Sequence, residues 1–480
     1  MGKCSFGNVV VNEVFQPKYP FGTDLEGRFL YLEDGPNRWL LAAFDFSYMF
    51  RHTSRAWRTR ISEATGIPVS NIWVHELQNH SAPGALALDG QPCEKLVEIS
   101  LPVIRDMIHR AQEAELSYVI ADLGDRFSYN REQYIPELGT VTVWQGMQYD
   151  STDGRAYTQD PSILLLGNWK PDLPAFKSPI YFDRPADPQG ALLVFRSVKG
   201  DVLGTLTRFA AHAAIAGSGA DLGNRMEHYR YHFCWPGYVR RTMEAHLGGI
   251  GMCVCGPCGN INPKNVTKVG YDHADAEARR IGEGIANACL DAWRKAPSSW
   301  EPIQMGHPAS THADLPLRDS IPRSRKELIP EEEFKKWQDN DWQEIHSVLI
   351  PQGAPPASIK RRLDEHQHQV VIRNILDRWV ALSEEELQKR TMTVELEAVR
   401  LNDLILGGLP GESMTETCQW LRAQTIGSKL IMIDQVNGYC VYQTTTEQYN
   451  EGGYHYWCGC IARGAEALTR KKALELVQGA

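Results

Sequence analysis

The sequence predicts an α/β fold, a mixed β-sheet core with flanking helices, and three observations carry that prediction. Apolar runs of strand length, such as "LLAAF" and "LILGGL", recur along the 480 residues. Apolar strands end in polar turns of small residues at His80-Ser81, His212-Ala213, Gly259-Asn260, Gly411-Glu412 and Asn437-Gly438. Between these runs lie segments with apolar residues at helical spacing, and the order strand, glycine turn, helix is that of α/β chains.

Residues 24–47 hold two apolar runs separated by Asp34-Gly35-Pro36-Asn37, which predicts a hairpin-like turn. Residues 51–66 read as a helix, and Pro68 introduces a strand in "NIWVHE". If that strand persists, Ile72, Val74, Glu76, Gln78 and His80 share one face before the chain turns at Pro83-Gly84. "CEKLVEISLPVIRDMIHRAQEAEL" has a helical period through Leu101, Ile104, Met107 and Ile108. A second strand–turn–strand leads to His212, and after a glycine-rich loop a helix starts at Pro236 and closes at Gly248-Gly249.

"IGMCVCGPCGNINP" reads as a buried strand entering a glycine turn, with a spacing that gives no dinucleotide fingerprint. Ile281, Ile285, Cys289 and Trp293, four apart, mark an amphipathic helix. Region 295–358, with its two proline-rich pieces, predicts irregular surface excursions. Beyond it come a helix carrying Ile372, Ile375, Leu376 and Trp379, a strand pair turning at Asn402-Asp403, and a terminal helix through Leu468, Leu474 and Val477. With no internal repeat, residues 1–480 read as one large domain.

At 42% hydrophobic and 23% charged, the composition excludes a disordered or coiled-coil protein. A net charge of −9 and the lack of a long Lys/Arg run argue against a nucleic-acid partner. No apolar stretch reaches the roughly 20 residues of a membrane span, and the N-terminus lacks the apolar core of a signal peptide. The expectation is a cytoplasmic protein acting on a small molecule, with no nucleic-acid or membrane partner and a homo-oligomer as the base-rate state.

Eleven cysteines are too few for a disulfide scaffold. Cys253, Cys255 and Cys258, and Cys458 and Cys460, are spaced closely enough for a local zinc or iron–sulfur site. Their spacing matches no familiar cluster run, and packing of small buried side chains is the simpler expectation.

Strand ends are where α/β proteins build their sites. Here they hold His80, His212, Glu412 and Tyr442, with Asp45, Asn260 and Asn262 in the same class of position. Two imidazoles and a carboxylate form a ligand set for a catalytic divalent ion that leaves a position for water. Taken singly, each of these residues reads as readily as a packing or surface group.

Five segments, in order and at similar spacing, resemble the neutral/alkaline non-lysosomal ceramidase family, N-terminal catalytic domain. "NHSAPG" at 79–84 is similar to the family's His-x-His-Ser-Gly-Pro-Gly motif, and "FAAHAA" at 209–214 to its strand ending in a ligand histidine. "WPGYVRRTMEAHLGG" with "GPCGNINP" resembles a helix and the following Gly-Asp-x-Ser-Pro segment. "GLPGESMTE" at 408–416 resembles the segment of a ligand glutamate, and "NGYCVYQTTTEQYNEGGYHY" the block of a ligand tyrosine.

The resemblance implies a ceramidase-like fold and Zn2+, or another divalent metal, on His212, Glu412 and Tyr442, with His80 beside metal and substrate. Gln78 stands where the family has its first ligand histidine, and Asn260 and Asn262 where it has aspartate and serine. A glutamine oxygen is a weak zinc donor and an asparagine is no practical nucleophile, so ceramide hydrolysis by the family's route is not expected. His75 lies an odd number of residues from Gln78 and needs a bulge to take its place.

The predicted function is a metal-assisted hydrolase of a small polar substrate, carbohydrate-like or amide. His80, Asn260, Asn262 and Glu412 are the candidate catalytic groups. Gln78, Asn79, Arg196, Asn437, Tyr449 and Tyr454 are the candidate substrate contacts. Two alternatives stay open: a metal-independent glycosidase or lyase working through Glu412, His80 and Glu76, and a non-catalytic sugar- or ligand-binding protein.

Overall fold

The structure, a computed structural model, describes residues 1–15, 17–83, 91–144, 171–215, 230–264, 271–295, 299–425 and 429–480, with the short pieces 148–149, 156–158, 163–164 and Trp169. Gly84 and positions 216–229 of the glycine-rich loop after His212 lie outside the described residues.

Among the described residues, two sheets lie face to face. The larger holds β1 (Lys3–Val10), β2 (Glu26–Asp34), β3 (Asn37–Phe44), β4 (Ile72–Glu76), β5 (Gln112–Asp122), β6 (Gln189–Ser197), β7 (Val202–Phe209), β8 (Ile250–Cys255) and the short β9 (Glu301–Pro302). Its order is β8-β7-β6-β5-β1-β2-β3-β4, with β9 on β5. The pairs β3–β4 and β7–β8 are parallel and the others antiparallel, so the sheet is mixed. Farther along lie β10 (Ala309–Pro316), β11 (Thr391–Leu401), β12 (Leu404–Gly408), β13 (Glu412–Ser413), β14 (Lys429–Ile433) and β15 (Tyr442–Gln443). The second sheet runs β10-β11-β12-β14, and β13 pairs with β15 in a ladder of its own.

Side-chain alternation explains why runs such as "LLAAF" are apolar throughout. Trp39, Leu41 and Ala43 join Leu404, Leu406, Ile431 and Ile433 in the core between the sheets. Leu40, Ala42 and Phe44 point the other way, to the layer of α1 (Arg51–Thr65) and α2 (Gln91–Arg110). A strand buried on both faces keeps no polar alternation. On that same outer side Leu192, Val194, Cys253 and Cys255 meet α3 (Cys234–Leu247) and α4 (Tyr271–Lys295).

The C-terminal part supplies the fourth layer. It comprises α5 (Glu331–Glu344), α6 (Pro356–Asn374), α7 (Thr415–Gln424), α8 (Thr446–Glu451), α9 (Tyr454–Cys458) and α10 (Glu466–Gly479). Ile372 of α6, Leu421 of α7, Trp457 of α9 and Val477 of α10 pack on Leu315, Val394, Ile405 and Met432 of the second sheet. The α/β class predicted from the sequence is the one found, built as helices, sheet, sheet, helices.

Three local expectations change. The strand through "NIWVHE" does not persist: it ends at Glu76, and Gln78 takes a left-handed φ of 48°, so Gln78 and His80 leave its alternation. The helix over Met107 and Ile108 stops at Arg110, and Gln112 opens β5. Region 295–358, read as irregular, contains β10 and α5; its charge belongs to the exposed side of a helix. No helix of the described residues is long and apolar enough to cross a membrane.

Asp45, just past β3, serves the fold. Its carboxylate accepts the Glu26 amide at 2.9 Å and both Arg240 Nη atoms at 2.6 and 2.7 Å, tying α3 to the sheet. Both partners of this pair are buried. Asp45→Asn leaves a buried guanidinium without its full charge partner and is expected to lower unfolding stability by about 3 kcal/mol in urea titration. A loss within ~0.5 kcal/mol, the range of ordinary surface substitutions, would refute that role.

Candidate metal centre

The chain segments that leave β4, β7, β8, β12 and β14 meet at one place. The ends come from both sheets. From the end of β4 onward the chain makes isolated bridges to each, His75 within the strand with Val436 and Asn79 past it with Ala213. Backbone bonds then lock turn to turn. The His80 amide donates to Ala213 O at 3.0 Å, His212 to Ile261 O at 3.0 Å, and Gly259 to Ser413 O at 2.9 Å. Gly259 is required there, since a Cβ would lie 2.7 Å from that same Ser413 oxygen.

The two residues at the centre are His212 and Glu412, both fully buried. His212 Nδ1 lies 3.1 Å from Ile261 O, which assigns the ring proton to Nδ1 and leaves a lone pair on Nε2. Glu412 Oε1 is taken up by the Gln78 amide at 2.6 Å and the Tyr439 hydroxyl at 2.5 Å. Oε2 is left, and it lies 2.8 Å from His212 Nε2. Neither of these atoms has an aligned hydrogen-bond partner among the described residues, despite their approach. Burial opposes ionisation of Glu412, but the His212 ring, the Tyr439 hydroxyl and Arg131 hold its carboxyl down to about 2.

Cys258 completes the group. Its Sγ, His212 Nε2 or Nδ1 and a Glu412 oxygen all lie within 4.8 Å of one another, and this is the group of potential His, Cys, Asp and Glu ligands that forms among the described residues. Tyr442 is the register partner of Glu412 in the β13–β15 ladder. Its hydroxyl accepts from Arg131 Nη2 at 3.1 Å, and Arg131 also donates to Gly259 O at 2.7 Å. The Arg131 guanidinium is stacked among Trp144, Tyr454 and Tyr442, at 4.9, 5.3 and 5.7 Å from their centroids. His80 lies 5.5 Å from the His212 ring, centroid to centroid. Burial and His212 hold its pKa down at about 3, with Arg131 adding and Glu412 opposing.

No protein-family model matches the chain, and no curated protein matches it. Solved structures do. Neutral ceramidase from Pseudomonas aeruginosa is similar over 99% of this chain and 74% of its own, with a TM-score of 0.61 and 14% identity. A ceramidase complexed with C2 gives the same coverage and identity at a TM-score of 0.64. The chain has the neutral ceramidase fold.

Within that ceramidase fold the sequence-named residues divide. His80, Gln78, His212, Glu412, Tyr442 and Tyr454 gather at the centre with Asn262, whose Oδ1 lies 3.4 Å from Arg131 Nη1 and whose Nδ2 is buried without a partner among the described residues. Three other amides cap backbone instead of facing a ligand. Asn260 accepts the Thr415 amide and donates to Glu416; Asn79 donates to His232 O and accepts the Ser81 amide. Asn437 accepts the Val74 amide and donates to Glu397.

Arg196 sits at the far end of β6, opposite Val202, whereas His212 follows the other end of β7. There it pairs with Glu115 at 2.7 Å and covers Trp300. Tyr449 packs on Tyr456, under Arg318. His75 does not replace Gln78: Nδ1 donates to Asp434 O at 2.7 Å and Nε2 accepts the Cys255 amide. Glu76 shares the β4 face of Ile72 and Val74, toward α1 and α2. Cys253 and Cys255 pack in one apolar cluster and Cys458 and Cys460 in another.

The sequence reading missed Cys258 as a partner of His212, and missed Arg131, Tyr439 and Asp434. Cys258 had a usable signal, since it too stands in a glycine turn after a strand; grouping it with Cys253 and Cys255 hid this. Arg131 had none, its side-chain hydrogen-bond partners being 128 to 324 residues away.

Asp434 braces both ligand segments. Its Oδ2 accepts the amides of Cys258 and Ser413, each at 2.9 Å. Burial pushes its pKa up to about 7, with those two N–H groups opposing. The folded state thus holds a proton that the unfolded chain has released, and stability contributed by this group falls as pH rises from about 4 to about 7. Asp434→Asn keeps an acceptor for the amides but cannot ionise. The variant is expected to lose less stability than the parent between pH 4.5 and 7.5, read from urea midpoints; parallel curves would refute it.

Proposed function

We propose that the chain is a metal-assisted hydrolase acting on a small polar substrate of amide or carbohydrate-like kind. The observation that carries the reading is the 2.8 Å approach of His212 Nε2 to Glu412 Oε2, both buried and neither hydrogen-bonded among the described residues. With one ring proton on Nδ1, the Nε2 lone pair faces the carboxylate oxygen, an arrangement that a shared cation relieves, either a second proton or a metal ion. The donor set fits such an ion: imidazole, carboxylate and thiol from His212, Glu412 and Cys258, with Tyr442 beside them. When bound, a zinc-like ion supplies a water of lowered pKa and polarises a carbonyl or glycosidic oxygen.

The rest of the chemistry belongs to the chain. Gln78 and Tyr439 fix the Glu412 carboxylate through Oε1 and so orient Oε2. His80 is uncharged near neutral pH, a weak base held so by burial and His212, and is fitted to hydrogen-bond a water or substrate group beside His212. Arg131 is a permanent cation behind Tyr442 and favours negative charge developing in front of it. Asn262 Nδ2 and Gln78 Oε1 are a buried donor and a buried acceptor without partners among the described residues, matched to an amide or a pair of hydroxyls. The hydrolase scaffold of the two ceramidases supports this reading, while Asn262 removes the hydroxyl nucleophile that the family resemblance leads one to expect at that position.

Protein purified without added metal is expected to carry about one divalent ion per chain by elemental analysis, the stoichiometry of a catalytic zinc site. His212→Ala and Glu412→Ala should each reduce that content by roughly tenfold or more and abolish turnover across a panel of amides, esters and glycosides. Metal content unchanged in both variants would sink the metal reading. A metal-loaded protein that turns over no member would favour a binding role instead. Gln78→His adds an imidazole beside Glu412 and should tighten binding by about tenfold or more in chelator competition; weaker binding would show that Gln78 serves only to orient the carboxylate.

A further inference from the structure

A second buried cation opens into a cavity away from His212 and Glu412. Arg318 follows β10 and is only 5% exposed. Its backbone is pinned, the amide donating to Cys460 O at 2.9 Å and the carbonyl accepting the Ile321 amide at 3.0 Å. The guanidinium lies 4.1 Å from the Tyr456 centroid and 5.3 Å from that of Tyr449. Nη1 donates to Tyr456 O at 2.5 Å, while Nε has no partner among the described residues.

No carboxylate of the described residues pairs with Arg318. The two acids lining the same cavity turn elsewhere, Asp319 to Arg390 and Glu365 to Arg361. Burying a guanidinium without a counter-charge is costly, so the arrangement is incomplete as a closed structure. The cavity in front of it measures about 390 Å³ and also presents Ser320 and His368. His368 Nδ1 donates to Trp457 O at 2.8 Å, and Ser320 Oγ lies 2.7 Å from Nε2, so both polar groups are held in place.

An adjoining cavity of about 280 Å³ shares Ser320 and Gln369 with the first and is walled by Leu328, Phe334, Trp337 and Ile372. One chamber offers a cation and hydroxyl, the next an apolar slot. We propose that this pair of chambers binds a small organic anion, its carboxylate or phosphate head against Arg318 and its apolar body against Trp337 and Phe334. Planar recognition of such heads is what a stacked guanidinium does best.

The test is calorimetric titration of the full chain with phenyl phosphate, benzoate and inorganic phosphate. At least one organic anion is expected to bind saturably, and about tenfold or more tighter than inorganic phosphate, the gain from covering a ring. The stronger of phenyl phosphate and benzoate identifies the head. Arg318→Gln should weaken that binding by about tenfold or more. Gln369→Trp, at a half-exposed position of α6 between the chambers, should abolish it with the melting temperature unchanged. Failure of both organic anions to saturate, or an affinity no better than that of inorganic phosphate, would overturn the proposal. So would binding that survives Gln369→Trp, whether or not Arg318→Gln folds.

Discussion

The site hangs on the apolar layer between the two largest sheets of the described residues. Trp39 and Trp73 meet edge to face at 5.1 Å on one side of that layer, and Leu404, Leu406, Ile431 and Ile433 come from the other. Because the interior is close-packed, the relative position of the sheets is set once that layer is filled. The segments leaving β4, β7 and β8 then have to meet those leaving β12 and β14. A site assembled from both sheets therefore has its geometry decided by aliphatic and indole packing many residues from any donor atom.

At the meeting point the structure spends polar groups unevenly. One oxygen of Glu412 receives two hydrogen bonds and the other only the approach of a ring nitrogen. A protein can leave such a contact buried only if surrounding bonds over-determine it. Here they do: His212 is held through Ile261, Cys258 and Ser413 through Asp434, and Arg131 through Gly259, Tyr442 and His455.

Much of this was legible in the sequence, and for a physical reason. Strand-length apolar runs ending in small polar turns state where backbone emerges from a sheet, so His80, His212, Glu412 and Tyr442 could be grouped without coordinates. Which sheet each came from was not legible, since a strand buried on both faces has no polar side to give its orientation away. The amides misled for another reason. Asn79, Asn260 and Asn437 look like ligand-facing groups, yet their partners include the Ser81, Thr415 and Val74 amides, and nothing in a side chain's identity says whether it will meet backbone or solvent. The two left-handed residues at Gln78 and Asn437 mark where period-two reasoning ends.

The short helix α9 has an unusual address. Tyr454 and His455 face Arg131 and Tyr442, and the next residue, Tyr456, is the ring on which Arg318 rests. One short helix thus serves both the surroundings of Arg131 and those of Arg318. Neighbouring residues of one turn answer to two different cations, and a change in the path of α9 bears on both at once.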